Sequence, residues 1–551
     1  MTEGKNDRVN SGSPKQSAAA KAQQLNAENL QSPMRSIHDS GVNLTYDWRL
    51  KQLKLLDRLV KENTEEIRSV LAKDLGREGC EAICIETKPL EKDIEYTIRN
   101  LKSWMKPQAV PSPMVMLPAQ SYLERKPLNS PGVLIIGPFN YPVRLVLQPL
   151  LGALAGGNPA VVKPSECTPN VAALLKKLLE KYFTEPGVVQ VVLGGVQETI
   201  TLLEMKWGKV MFTGSMRVGK IVQKACAETL TPSILELGGK CPLVIDESVS
   251  SSALETAANR IIFAKCLNAG QTCVAPDTLF VHRSHVSALC DALQRSLQVQ
   301  FGKDPKTGEL ARIVNTANAR RIVDLIQDAE KLGAKVVCGG SKMCDVDTKY
   351  IAPTLILDPP RESKILEEEV FGPVMAIVSF SSREEAIKRI RALPGEPLHL
   401  YVFTPNFSVF REYTDRCTAS GAFMNDVIMQ GCSHHLPLGG IGTSGHGNYF
   451  GKHSFDTFTH TFSLACRPLQ NFYLLESLRC HPFVGIKGWL LEKIIFPLPD
   501  IPVLHTRKLM LGLGVAACLW ASPVGADFIK NRLILLLQNA IVALEALISE
   551  S

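Results

Sequence analysis

A multi-lobed α/β protein built on doubly wound, largely parallel sheets is the fold class this chain predicts. Three observations predict it. The chain has 551 residues, more than one hydrophobic core commonly organises. Short β-rich runs, "GVLII" (132–136), "PAVV" (159–162), "VVQVVLG" (188–194) and "KVMF" (209–212), alternate with helical patterns such as "NVAALLKKLLEKYF" (170–183). That alternation belongs to parallel sheets whose crossover helices cover both faces. A segment rich in Gly, Pro or Ser follows most of these runs, where strands of such a sheet end and ligands bind.

Taken in order, residues 1–40 are rich in Ser, Lys, Gln, Asn and Ala and poor in large apolar groups, which predicts a disordered leader. From Trp48 to Lys73, Leu53, Leu56, Val60, Ile67 and Leu71 recur at helical spacing and predict one amphipathic helix. A second α/β region runs from about Gly239 to Gln430, and residues 436–460 are irregular and rich in Gly and His. There is no internal repeat. The net charge of +7 is mild for this length, and no compact basic stripe with aromatics points to nucleic acid. Met1 to Ser40 holds no continuous apolar run, so no secretory signal is read there. The fifteen cysteines lack zinc-type pairs, Cys80 and Cys84 being the closest couple. Free thiols in a reducing compartment follow, most of them expected as small core residues.

One cysteine differs. In "NAGQTCVAP", Asn268 to Pro276, Cys273 sits in a small, polar run just after the apolar "RIIFAK". That setting suits a thiol held on a turn within reach of a ligand. The strand-end segments are "GPFNYP" (137–142), "KPSE" (163–166), "FTGSMRVG" (212–219) and "ELGGK" (236–240). The G-x-G-x-x-G dinucleotide fingerprint is absent, but Gly214 and Ser215 open a helical stretch whose first N–H groups suit a pyrophosphate.

"PFNYP", "KPSE", "FTGS", "LELGGK", "GQTC" and "EEVFGP" (368–373), in this order and spacing, resemble the aldehyde dehydrogenase superfamily. "NDV" (425–427) and "GKHSFDTF" (451–458) are similar to its class 3 branch, which includes the fatty aldehyde dehydrogenases. The resemblance runs from about Ser40 to Arg467. It implies an aldehyde dehydrogenase-like fold with a Rossmann-type cofactor domain over 41–238, an α/β catalytic domain over 239–430, and a β bridging and oligomerisation element joining 116–130 to 431–470. It implies that Cys273 is the nucleophile, Asn140 the oxyanion donor and Glu236 the base that activates water. By the same resemblance Lys163 and Glu166 hold the adenosine ribose, Gly214, Ser215 and Gly219 the pyrophosphate turn, Glu369 the nicotinamide ribose, and Phe371 the apolar wall beside it. A carboxylate at Glu166 favours NAD, with NADP possible. Glu367 and Glu368 are read as solvated. A homodimer is expected, since the family dimerises through the bridging element.

The expected reaction is NAD(P)-dependent oxidation of an apolar, long-chain fatty aldehyde to the acid. Apocarotenoid or aromatic aldehydes, and a catalytically silent membrane scaffold, are the alternatives; retention of Asn140, Glu236 and Cys273 opposes the scaffold. Retention of Glu236 likewise opposes a CoA-acylating enzyme. His434 and His435 have no third ligand at suitable spacing, so no metal is expected; they are placed at the substrate mouth or in solvent, and His453 is read as structural. Leu438 stands where the family often has Phe, and His399 where it commonly has an apolar or small residue, which bears on substrate shape. Residues 471–551 are read as a hydrophobic, membrane-associating tail. Leu509 to Ala526 is an uncharged run of eighteen residues, about 27 Å as a helix against roughly 30 Å of hydrocarbon. Arg507 and Lys508 at its entry place the catalytic domain on the cytosolic side. A second run spans 533–548, and "VGIKGWLLEKIIF" (484–496) suits an interfacial position. The endoplasmic reticulum, the mitochondrial outer membrane and the lipid-droplet surface all fit.

Overall fold

The computed structural model describes residues 26–469 and 480–497. Of these, residues 26–105 together with Arg125–His460 form one compact unit, and Lys106–Glu124 with the described residues from Thr461 on form a second.

The first unit is built on two sheets. Strands β1 (Val133–Ile136), β2 (Ala160–Lys163), β3 (Val189–Val191), β4 (Lys209–Gly214) and β5 (Ser233–Leu237) are parallel and lie in the order β5-β4-β1-β2-β3. Every residue of β1 and β2 is buried, because crossover helices cover both faces; that is why these strands read as unbroken apolar runs. The chain winds outward from β1 through β2 to β3, then returns beside β1 to make β4 and β5. The carboxyl ends of β1 and β4 therefore flank a point where the winding reverses, where open α/β sheets hold ligands.

The second sheet takes β6 (Pro242–Ile245), β7 (Thr278–His282), β8 (Lys335–Cys338), β9 (Thr354–Leu357), β10 (Val374–Phe380), β11 (His399–Phe403) and β12 (Gly421–Met424), in the order β8-β9-β10-β7-β6-β11-β12. Only β8 runs antiparallel to its neighbour. The short strand β13 (Gly445–His446) pairs antiparallel with β5, setting Gly445 opposite Glu236.

Two local readings change. The leader was expected to reach residue 40, yet Ala27–Ser40 is a helix capped by the Asn26 side chain, with Met34 and Ile37 buried. Two buried apolar residues one turn apart dock it together with the buried Gln31, which donates to the Lys206 carbonyl at 3.0 Å, and the Leu30 carbonyl, which accepts from Gln190 at 2.7 Å; such a signal is too sparse to stand out in a polar stretch. The single helix expected over Trp48–Lys73 is two, Tyr46–Glu62 and Thr64–Leu75. Asn63 divides them with φ −123°, and its side-chain amide donates to the Leu59 carbonyl at 2.8 Å. A short amide side chain competes with the backbone ladder in this way.

A separate three-stranded sheet is made by Gln108–Val110, which pairs antiparallel with the strand Gln120–Pro127, and by Thr459–Cys466. Gly485–Leu490 is helical and continues into a wider turn, Leu491–Ile495, with Phe483, Val484, Trp489 and Phe496 exposed. Among the described residues no helix is long and apolar enough to cross a membrane. The runs Leu509–Ala526 and 533–548 lie outside the described residues.

Candidate active site

Cys273 is carried on a turn that its own sequence builds. Helix Leu254–Cys266 ends, and Asn268, Ala269 and Gly270 follow with φ of 53°, 50° and 72°. A Cβ on Gly270 would stand 2.2 Å from the Gly372 carbonyl oxygen, so only glycine fits. The Asn268 amide donates to the carbonyls of Asn140 (2.8 Å) and Gln271 (3.2 Å). The Gln271 side chain donates to the carbonyls of Asn268 and Arg312, each at 3.0 Å, and accepts the Val314 N–H at 2.9 Å. Next to it the Thr272 hydroxyl meets Tyr141 Oη at 2.5 Å. The buried Cys241 thiol donates to the Cys273 carbonyl at 3.3 Å. Cys273 itself remains half-buried, partly open to a cavity. The small polar run is thus a set of struts that fix a thiol at the end of an apolar helix.

That cavity encloses about 220 Å³ and is lined by both Cys273 and Glu236. Glu236 belongs to β5, opposite Thr213 of β4, and is 4% exposed. One carboxylate oxygen and the Thr213 hydroxyl are buried with no hydrogen-bond partner. Burial lifts the Glu236 carboxyl well above its ordinary value. Burial, then Glu236 and Glu369, push the Cys273 thiol up in the same direction. Asn140 follows β1 and is buried; its side chain donates one N–H to the Gln271 carbonyl at 3.0 Å. Asn140 and Cys273 are therefore held by the same turn.

The cofactor candidates line one edge of the first sheet. Lys163 ends β2, Gly214 ends β4 and Leu237 ends β5, all on the same side. Lys163 is buried; its ammonium donates to the Pro164 carbonyl (3.1 Å) and pairs with the half-exposed Glu166 (3.0 Å). Ser215 caps helix Met216–Glu228, its hydroxyl accepting the Val218 N–H. A Cβ on Gly219 would come within 2.6 Å of a Leu237 methyl, so this glycine lets the helix press against β5. Glu369 and Phe371 arrive from the second sheet, just before β10. The Glu369 carboxylate accepts the Gly239 N–H; burial, then Asp277, push it up to about 7. Phe371 takes φ 51° and meets Phe139 edge-on at 5.8 Å. Lys240, buried and paired with Asp277, also donates to the carbonyls of Ile365 and Glu368, clamping this segment to "ELGGK". A buried lysine at a strand end, a capped helix start and a glycine contact with no spare room fit a dinucleotide. The first sheet delivers its residues at strand carboxyl ends. The second delivers Cys273, Glu369 and Phe371 just before the amino ends of β7 and β10.

Several residues gave no signal in the sequence. Arg77 and Glu86 form a fully buried ion pair. Arg77 also donates to the Asn140 carbonyl at 3.2 Å, and Glu86 accepts the Arg144 N–H at 2.7 Å. The Arg144 guanidinium donates to the Gly431 carbonyl at 2.6 Å, tying the 428–432 wall of the cavity in place. Of the two departures noted in the sequence, Leu438 lines the cavity. His399 does not: it opens β11 inside the second sheet, where burial pushes it down to about 4. His434 and His435 pack on Tyr96, with ring centroids at 4.2 and 5.2 Å, and not at the cavity. His453 lies in helix Gly451–Thr457. Glu367 and Glu368 are exposed. Among the described residues Cys226, Cys241, Cys266, Cys290 and Cys417 are buried, Cys167, Cys273, Cys338 and Cys344 are partly buried against apolar clusters, and Cys80, Cys84, Cys432, Cys466 and Cys480 are exposed. A reduced thiol is small and only weakly polar, so surface positions tolerate it as well as the core does.

The family description "Aldehyde dehydrogenase family" matches residues 7–463 of the chain. The chain belongs to the aldehyde dehydrogenase family. It is similar to aldehyde dehydrogenase family 3 member H1 of Arabidopsis thaliana, 37% identical over 88% of this chain and 98% of that one. The 4,4'-diaponeurosporen-aldehyde dehydrogenase of Staphylococcus aureus is 40% identical over 75% of this chain and 88% of its own. The dimeric, NADP-preferring aldehyde dehydrogenase of Canis lupus familiaris is 37% identical over 79% of this chain and 94% of its own. Among solved structures, the substrate-bound state of Staphylococcus aureus AldH superposes with a TM-score of 0.79 at 36% identity, covering 84% of this chain and 97% of that one. This aldehyde dehydrogenase is thus an enzyme of the family's NAD(P)-dependent oxidation of aldehydes, on the family's fold.

Proposed function

We propose that this aldehyde dehydrogenase oxidises long apolar aldehydes to carboxylic acids, using NAD and accepting NADP, with Cys273, Asn140 and Glu236 as its catalytic residues. One observation carries the reading: a single cavity walled by Ile85, Leu145, Phe263, Met429 and Phe450 is lined by both Cys273 and Glu236. Such a wall favours an alkyl chain, at about 0.8 kcal/mol per methylene taken out of water.

The Cys273 thiol gives its proton up to solvent water, and the thiolate sulfur adds to the aldehyde carbon. The second N–H of Asn140 and the Cys273 backbone N–H donate to the oxyanion that forms; one such donor is worth about 3–4 kcal/mol. When bound, the nicotinamide dinucleotide supplies the acceptor for the aldehyde hydride, and Lys163, Glu166, Gly214, Ser215, Gly219, Glu369 and Phe371 are the residues that would hold it. Cys273 then carries the acyl group as a thioester. Glu236 takes a proton from water, the resulting hydroxide adds to the thioester carbonyl, and the acid leaves as sulfur recovers its electron pair. The carboxyl's burial strengthens it as a base.

A second reading is favoured by the Staphylococcus aureus relative: an apocarotenoid aldehyde is equally long and apolar. A panel of hexadecanal, an apocarotenal and benzaldehyde with purified protein decides. The highest kcat/KM is expected for hexadecanal. The highest value for the apocarotenal replaces the first reading with the second, and the highest for benzaldehyde sinks both. The same reading places the enzyme as a homodimer on a cytosol-facing membrane surface, through the tail after residue 470. The exposed Trp489 and Phe496 beside Lys487 and Lys493 support that placement.

A further inference from the structure

Cys80 and Cys84 stand one turn apart, on the short helix Gly79–Ala82 and the wider turn Ile83–Thr87 that continues it. Both are exposed, and their sulfurs are 3.1 Å apart. Cys84 and its neighbour Ile85 line the cavity that holds Cys273, whereas Cys80 lies outside that lining. The next residue, Glu86, anchors Arg77 and the Arg144 N–H. A pair of accessible thiols therefore sits on a segment whose far end is fixed by a buried ion pair and whose middle forms part of the cavity wall.

We propose that Cys80 and Cys84 are a redox-active dithiol, and that its oxidation to a disulfide restricts entry of long aldehydes; this gating rests on the reading of the cavity as the aldehyde site. A small disulfide such as oxidised glutathione is the oxidant. The Cys84 thiolate attacks one of its sulfurs, forming a mixed disulfide and releasing one thiolate. The Cys80 thiolate then attacks Cys84 sulfur, closing the intramolecular bond and releasing the second. The two protein thiols lose two electrons and two protons, and the oxidant becomes two thiols. The closed bond ties Cys84 to Cys80 as Glu86 is already tied to Arg77, so the wall at Ile85 no longer yields to a long chain. A short aldehyde that reaches Cys273 without touching this wall is unaffected.

The test equilibrates full-length enzyme in glutathione buffers of graded ratio. The tryptic peptide Glu78–Lys92 contains Cys80 and Cys84 and no other cysteine, so its mass reports the disulfide directly. Expected is a peptide lighter by two hydrogens as the buffer turns oxidising, with KM for hexadecanal rising severalfold in step and KM for propanal flat. Cys80→Ser should keep KM for hexadecanal constant across the same buffers, which separates this pair from any oxidation of Cys273. The proposal is overturned if the peptide keeps two free thiols or carries only glutathione adducts, or if Cys80→Ser follows the wild type. A reduced enzyme that oxidises no aldehyde overturns the reading of the cavity and the gating with it. An active enzyme whose KM ignores the disulfide overturns the gating alone.

Discussion

At Cys273 burial and two nearby carboxylates, Glu236 and Glu369, all act to keep the proton on sulfur. At Glu236 burial acts to keep the proton on oxygen. The proposed reaction needs both groups ionised, and both pKa values are raised, so the active forms gain population as pH climbs. We expect kcat/KM to increase from neutral toward alkaline pH, followed by reduced-cofactor absorbance; a profile flat or falling over that range would contradict the assignment. The stability sign runs the other way. A carboxyl raised in the fold but ordinary when unfolded holds its proton more tightly in the native state, so Glu236 costs stability above its unfolded pKa, increasingly up to its folded one. Glu236→Gln should therefore be at least as stable as the wild type at pH 8, while giving a burst of reduced cofactor followed by slow turnover as acyl-enzyme accumulates. Cys273→Ala should abolish the burst and leave dinucleotide binding nearly intact. Normal steady-state turnover in Glu236→Gln would remove it from the role of base.

The turn Asn268–Gly270 is the element on which the site depends. Gly270→Ala places a methyl against the Gly372 carbonyl in a left-handed conformation. Overpacking of this kind costs about 1–3 kcal/mol, so a lower melting temperature and a larger loss in kcat than in KM are expected, the turn being what aims the thiol. Arg77→Met leaves Glu86 buried without its ionic partner, a change worth about 3–5 kcal/mol; thermal melting checks it, and an unchanged midpoint would deny the pair its supporting role. The first of these elements was legible in the sequence and the second was not. A small polar run after an apolar helix announces a turn by local chemistry alone, and so do the Pro and Gly that close each strand of the first sheet. Arg77 meets Asn140 across 63 positions and Glu86 meets Arg144 across 58; pairings of that range exist only once the sheets have formed. His399 bears on substrate shape no more directly: it is buried in β11 and does not line the cavity, a placement that only the assembled sheet determines.

For the whole molecule, the tail and the sheet polarity have separate consequences. On the proposed membrane placement, full-length protein should pellet with membranes after a high-speed spin and a version ending near Arg467 should remain in the supernatant; equal distribution of the two would overturn that proposal. The two sheets meet the site with opposite ends, the first with strand carboxyl ends and the second with amino ends. For the second sheet this leaves the opposite margin away from the chemistry, where Ser382 caps the helix Arg383–Arg391. β10 has seven residues, about 20 Å of extended chain between Phe371 at one end and the exposed Ser381–Ser382 loop at the other. Sequence can be added at that margin without entering the chemistry, as exposed loop tips generally allow. A short affinity tag inserted between Ser381 and Ser382 should therefore leave kcat unchanged, making the far rim of this half the natural place to immobilise the enzyme with its cleft facing outward.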